Sequence, residues 1–283
     1  MKLGVMTRVF QRDSVEEVAE AIRAAGLTAV QLSLESAALE PLPDELPTEL
    51  CARIRRAFAE RDIEISAVSG TFNAIHPDRA YRADCIRRVR RLAARCAALG
   101  TRVITHCTGT RNTESMWRHH PDNNRPEAWD EMQETFAELA RFGEREGVVM
   151  AFEPETVNVV DTASKAQRLV QEIDSPALGL VMDPANYFHP EMLPRMDAVL
   201  GEVFRRVGQH IALAHAKDVQ PPPEGSGSDE CVRPAAGTGV LNYPLYLRLL
   251  EEHGYRGGLI MHSLSEAEVP DSAAYVRRAL DAQ

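Results

Sequence analysis

At 283 residues, with 44% apolar residues and a formal charge of −10, the chain has the size of one large globular domain or two small ones. Its acidity repels phosphate backbones, and no run reaches the roughly 20 apolar residues needed to cross a bilayer, which sets aside nucleic acid and membrane as partners. Five cysteines (Cys51, Cys85, Cys96, Cys107 and Cys231) without CxxC spacing argue against a disulfide framework or a zinc knuckle and predict a reducing, cytoplasmic setting. The opening MKLGVMTRVF meets Arg8 and Gln11 too early for a signal-peptide core and reads as a first strand.

Eight times a short apolar stretch leads through a polar or glycine-rich loop into a stretch with helical periodicity. The first strand covers residues 3–7 and the first helix 14–25, with Ser14 and Glu17 at capping-box spacing and Gly26 as terminator. Residues 29–34 follow, then a loop with Pro41, Pro43 and Pro47, then a helix over 48–60. A third strand over 63–68 passes through the loop SGTFNAIHPD into one long helix over 79–99, ended by Gly100. The fourth strand, 102–107, precedes a long loop containing Trp117, His119, His120 and Trp129 and a helix that ends near Gly147. The run VVMAFEPET is the fifth strand, with a helix over 161–173. Strands over 178–183, 211–217 and 258–262 alternate with helices over 194–207, 243–252 and 271–282.

Such alternation predicts an α/β protein, and eight units predict a single (β/α)8 TIM barrel spanning residues 1–283. No GxGxxG follows the first strand, against a doubly wound nucleotide-binding sheet. In a barrel the functional groups gather at the C-terminal strand ends. Alternating side chains put Glu153 on the fifth strand, Asp183 on the sixth, His215 with Lys217 on the seventh and His262 on the eighth, and the same count puts His106 on the fourth. Several charges buried together require a cation, and mixed oxygen and nitrogen donors suit manganese, magnesium, cobalt or zinc. Lys217 is a candidate to polarise a carbonyl, bind an anion or pair with a neighbouring carboxylate. Glu155 falls one step out of register after Pro154, which gives it a supporting or substrate-binding role.

The segments FEPE at 152–155, MDPANYF at 182–188, HAKD at 215–218 and AAGTG at 235–239 resemble the sugar (phosphate) isomerase/epimerase group of xylose-isomerase-like TIM barrels. That superfamily also contains keto-sugar epimerases, inosose dehydratase and the endonuclease IV proteins. The resemblance implies that Glu153, Asp183 and His215 are metal ligands. It also implies a fourth ligand, a second glutamate on the last strand that forms an acid/base pair with the first; here His262 stands in that place. It further implies that Asn186 and Arg233 bind substrate; His106, Glu155 and Lys217 are candidates for the same role from their places at the strand ends. With Cys231, Arg233, Asn186 and His262 at these positions, a trinuclear zinc nuclease site is incomplete.

The implied activity is a metal-dependent sugar or keto-sugar isomerase or epimerase. Glu153 takes the proton next to a carbonyl, His262 returns it, and the path runs through a metal-stabilised enediolate. One divalent ion is implied, manganese first, with magnesium, cobalt and zinc as alternatives. The alternative activity is a metal-dependent lyase or dehydratase acting by β-elimination on a keto-sugar, 3-oxo-glycoside or inosose. The partner is a small sugar or polyol, and a homo-oligomer stays open.

Overall fold

The computed structural model describes residues 1–228 and 230–283. Eight parallel strands pair in chain order and close on themselves: β1 (Lys2–Met6), β2 (Ala29–Leu32), β3 (Glu64–Asn73), β4 (Val103–Cys107), β5 (Val149–Glu153), β6 (Leu178–Met182), β7 (Ile211–Ala216) and β8 (Gly258–Met261). Around them run α1 (Val15–Ala24), α2 (Thr48–Ala59), α3 (Arg79–Ala93), α4 (Cys96–Leu99), α5 (Pro126–Glu146), α6 (Ala163–Ile173), α7 (Met196–Val207), α8 (Tyr243–Glu252) and α9 (Val269–Asp281). The single (β/α)8 barrel expected from the alternation is the fold observed. No helix of the described residues is long and apolar enough to cross a membrane.

Strand periodicity divides the core into two layers. Met6, Ala29, Ala67, Ala151, Val181, Leu213 and Ile260 point inward and fill the barrel. The other face of each strand packs against the helices in a larger apolar shell. The inner layer is the floor on which the polar residues one step further along each strand stand.

Local signals explain most helix boundaries. Ser14 Oγ accepts from the Glu17 amide at 3.2 Å, and Asp78, Thr162 and Asn242 cap α3, α6 and α8 in the same way. Three expectations need correction. β3 runs on to Asn73, because its register with β4 shifts between Ser69 and Asn73 and the chain stays extended through SGTFN. Gly70 permits this close approach, since a Cβ there would lie 2.4 Å from Ile104 Cγ2. The long helix over 79–99 is broken into α3 and α4; Arg95 donates to the Leu46 carbonyl at the break, and Cys96 and Leu99 turn into the core. Trp129 lies within α5, not in the loop before it.

Candidate metal centre at the barrel mouth

Glu153 closes β5, and Asp183, His215 and His262 sit at the ends of β6, β7 and β8. All four are buried, and one donor atom from each lies within 4.8 Å of the others. Asp183 is the hub. Its Oδ1 accepts from the Ala185 amide at 3.0 Å, while Oδ2 lies 3.0 Å from His262 Nε2 and 2.9 Å from Lys217 Nζ. His215 Nδ1 faces Glu153 Oε1 at 3.5 Å and Asp183 Oδ2 at 3.7 Å. Against the burial that disfavours both charges, His215 and Lys217 respectively lead the interactions that hold Glu153 low and Asp183 well below the usual carboxylate range.

Gln31, on β2, decides which nitrogen of His215 is free. Its amide Nε2 donates to Ser69 Oγ at 3.1 Å and Thr105 Oγ1 at 3.0 Å, and its Oε1 is turned to His215 Nε2 at 2.8 Å. The imidazole therefore donates through Nε2 to Gln31. Its Nδ1 is left buried without a hydrogen-bond partner, aimed at two carboxylates. Against burial, the Glu153 and Asp183 charges raise His215 to about 9, so without a metal Nδ1 carries a proton that a bound cation would displace to gain the lone pair. His262 is pushed the other way, to about 4, by burial and by the Lys217 charge, and is the neutral imidazole a metal requires. An unpartnered nitrogen, two carboxylates and a second neutral imidazole form a donor set that fits a divalent ion with bonds of about 2.0–2.2 Å.

Above these groups opens a cavity of about 560 Å³. Its wall includes Glu155, Lys217 and Arg233 as expected, and also Arg8, Glu35 and Trp117. Glu155 has no side-chain hydrogen bond among the described residues; burial and then the Glu153 charge push its carboxyl up to about 8. Asn186 is fully buried and does not line the cavity. Its Nδ2 donates to Glu153 Oε1 at 2.9 Å and to the Pro154 carbonyl at 3.1 Å, so it orients the carboxylate instead of reaching a ligand.

His106 is a correction. β4 and β5 pair Cys107 with Glu153, which makes Thr105 and Cys107 the inward residues and turns His106 to the helices. There its Nδ1 lies 2.8 Å from the Gly70 carbonyl, its ring meets Phe72 and Phe136 edge-on, and burial lowers it to about 4. The sequence count missed Gln31 and Arg8. Gln31 carried one signal, a polar residue at an inward position of the apolar run AVQL.

The fold and this carboxylate and imidazole cluster define a (β/α)8 barrel with a candidate metal centre at its C-terminal mouth. The chain belongs to the xylose isomerase-like TIM barrel family, whose sequence profile matches residues 19–281. No curated protein matches it in sequence. Among solved structures it is similar to a xylose isomerase-like TIM barrel protein from Mycobacterium smegmatis in complex with magnesium, at 17% identity over 99% of this chain and 97% of that one, with a TM-score of 0.74. An L-ribulose 3-epimerase is similar at 15% identity over 99% of this chain and 95% of that one, TM-score 0.74. A probable 3-DHS dehydratase from Bacillus anthracis is similar at 14% identity over 98% of both chains, TM-score 0.72. These likenesses establish the shared fold.

Proposed function

We propose that the chain is a metal-dependent isomerase or epimerase of a small sugar, keto-sugar or polyol. The observation that carries this reading is the convergence of Glu153, Asp183, His215 and His262 beneath a polar cavity, with His215 Nδ1 buried and unpartnered. Those four residues would hold the ion; manganese suits the set, and magnesium, cobalt and zinc are the alternatives. When bound, the ion polarises a substrate carbonyl and acidifies the neighbouring C–H.

The chain's own groups do the rest. Asn186 fixes Glu153 through Oε1, and Oε2 has no hydrogen-bond partner among the described residues, so it is the atom placed to take the proton. His262 is the second proton carrier. Lys217 holds the Asp183 carboxylate in place. Burial of the four side chains keeps bulk water from the cluster itself. Five free, buried thiols support a reducing, cytoplasmic setting.

A second reading, β-elimination from a keto-sugar, 3-oxo-glycoside or inosose, is favoured by His262. A carboxylate and an imidazole are unlike groups, and elimination needs one base and a different acid for the leaving group. The L-ribulose 3-epimerase and the probable dehydratase share this fold, which supports considering both reactions.

Elemental analysis of the purified protein, then chelation and re-metallation while keto-sugars are followed by NMR in D2O, tests both. Deuterium entering next to the carbonyl without loss of a group marks the isomerase, and an unsaturated product marks the lyase. Glu153→Gln should lower turnover by about 10²–10⁴-fold or more. Near-wild-type turnover in that variant removes Glu153 as the base.

A further inference from the structure

The cavity is more cationic than the chain that forms it. Arg8 follows β1, Lys217 follows β7, Arg233 comes from the loop between β7 and α8, and all three line its wall. Lys217 is committed to Asp183. Among the described residues, Arg8 and Arg233 have no carboxylate oxygen within 4.0 Å, the limit for an ion pair.

Arg233 is nevertheless held in place. Its Nη2 donates to Thr156 Oγ1 at 2.9 Å and its Nη1 to the Cys231 carbonyl at 3.4 Å, while its Nε is buried without a partner. Every hydrogen-bond acceptor it has is neutral, so it is positioned without an ion-pair partner. The loop that carries it is also built. The Asp218 amide donates to the Pro234 carbonyl, and the Asp218 carboxylate accepts from the amides of Val219, Gly237 and Leu241, each at 2.9 Å.

Charge counting points the same way. Along the wall Arg8, Lys217 and Arg233 balance Glu35, Glu153 and Glu155, three charges of each sign. A chain of formal charge −10 thus has one cavity whose wall is balanced in charge. Arg8 is exposed, but Arg233 is half-buried, where positive charge is costly unless something negative meets it, and a guanidinium meets carboxylate and phosphate oxygens in a fork.

We infer that the substrate carries one anionic group, a carboxylate or a phosphate monoester, received by Arg233, with Arg8 adding charge from the β1 side. The inference rests on reading the site as that of a sugar-converting enzyme and narrows its substrate class to anionic sugars or polyols. A neutral sugar would offer Arg233 hydroxyl acceptors but no counter-charge.

The test uses the full chain, labelled with ¹⁵N-arginine and supplied with magnesium, and three probes: D-glucuronate, D-glucose 6-phosphate and D-glucose. Affinity is read by calorimetry, and contact by the Arg233 Nε–H resonance, assigned with Arg233→Lys. At least one anionic probe should shift that resonance and bind about tenfold or more tightly than D-glucose, an advantage that Arg233→Met removes and Arg8→Met reduces. Preference for glucuronate identifies a sugar acid as the substrate class, and preference for the 6-phosphate identifies a sugar phosphate. The inference is overturned if D-glucose binds as tightly as both anions, if no anion moves the Arg233 resonance at millimolar concentration, or if Arg233→Met leaves anion affinity unchanged. Failure of the enzyme reading is seen separately, as a protein that takes up no metal while anion binding persists.

Discussion

Gln31 shows how one neutral side chain sets the chemistry of a charged cluster. Its carbonyl oxygen faces His215 Nε2 while its amide nitrogen donates to Ser69 and Thr105, and His215 Nδ1 is then the nitrogen turned to Glu153 and Asp183. Gln31→Leu should weaken metal binding by about 10–100-fold, read by competition with a coloured chelator. In the metal-free leucine variant the ¹⁵N shifts of His215 should report loss of its imidazolium at a lower pH than in the native protein, because the acceptor for its Nε2 proton is gone. Gln31→Glu keeps an acceptor for the Nε2 proton, since both hydroxyls can turn to donate to a carboxylate, and should restore most of the affinity. Equal affinity in native protein and the leucine variant would leave Gln31 as packing alone. At this scale the sequence was legible for acids and histidines at strand ends, and less so for their supports. His106 was misplaced by a single step of parity, because a period of two carries no phase until a strand is paired with its neighbour.

Among the elements, the loop between β4 and α5 owes its shape to polar side chains, two supplied from elsewhere and one, Asn123, from the loop itself. Asn73 brackets Thr110 through both amide atoms, Asn158 receives the Gly109 amide, and Asn123 receives that of Arg111. Glu131 on α5 then ties Arg111 of this loop to Arg82 of α3. The hydrogen bond from Arg111, opposed by burial and joined by Arg82, pulls the Glu131 carboxyl down to about 2. A depressed carboxylate stabilises the fold above its unfolded value, near 4.5, and that stability is lost as pH falls through about 2. Glu131→Gln should therefore cost about 1–2 kcal/mol at neutral pH, after screening of this partly exposed pair. Urea denaturation should show the gap between variant and native protein shrinking from about pH 4.5 downwards. A gap constant across that window would mean that the ion pair contributes nothing. None of this was legible from spacing, because Arg82, Arg111 and Glu131 lie in three separate segments that meet only after folding.

For the whole molecule, closure of the barrel is what turns scattered strand ends into a site. Glu153 and His262 are more than a hundred residues apart in the chain and share a cluster only because β8 pairs with both β7 and β1. A ligand that bridges four strands binds the folded state and not the unfolded one. Saturation with metal at a hundred times its dissociation constant should add about 2.7 kcal/mol. For a chain of 283 residues that is a rise in Tm of about 4–5 °C, reversed by a chelator and measured by calorimetry. An unchanged Tm across manganese, magnesium, cobalt and zinc would argue against a metal centre.

By itself the sequence determined the alternation of eight strands and eight principal helices, and with it the barrel and the end at which chemistry collects. Hydrophobic periodicity and end signals such as Ser14 and Gly26 act within a few residues, so they can be read along the chain. It also determined Glu153, Asp183, His215 and His262 as candidates, since each is a polar residue ending an apolar run. Only the tertiary structure decided that His106 faces the helices, that Asn186 orients Glu153, and that Gln31 sets the free nitrogen of His215. Those outcomes depend on inter-strand register and on hydrogen bonds between residues distant in the chain, which exist only once the barrel has closed.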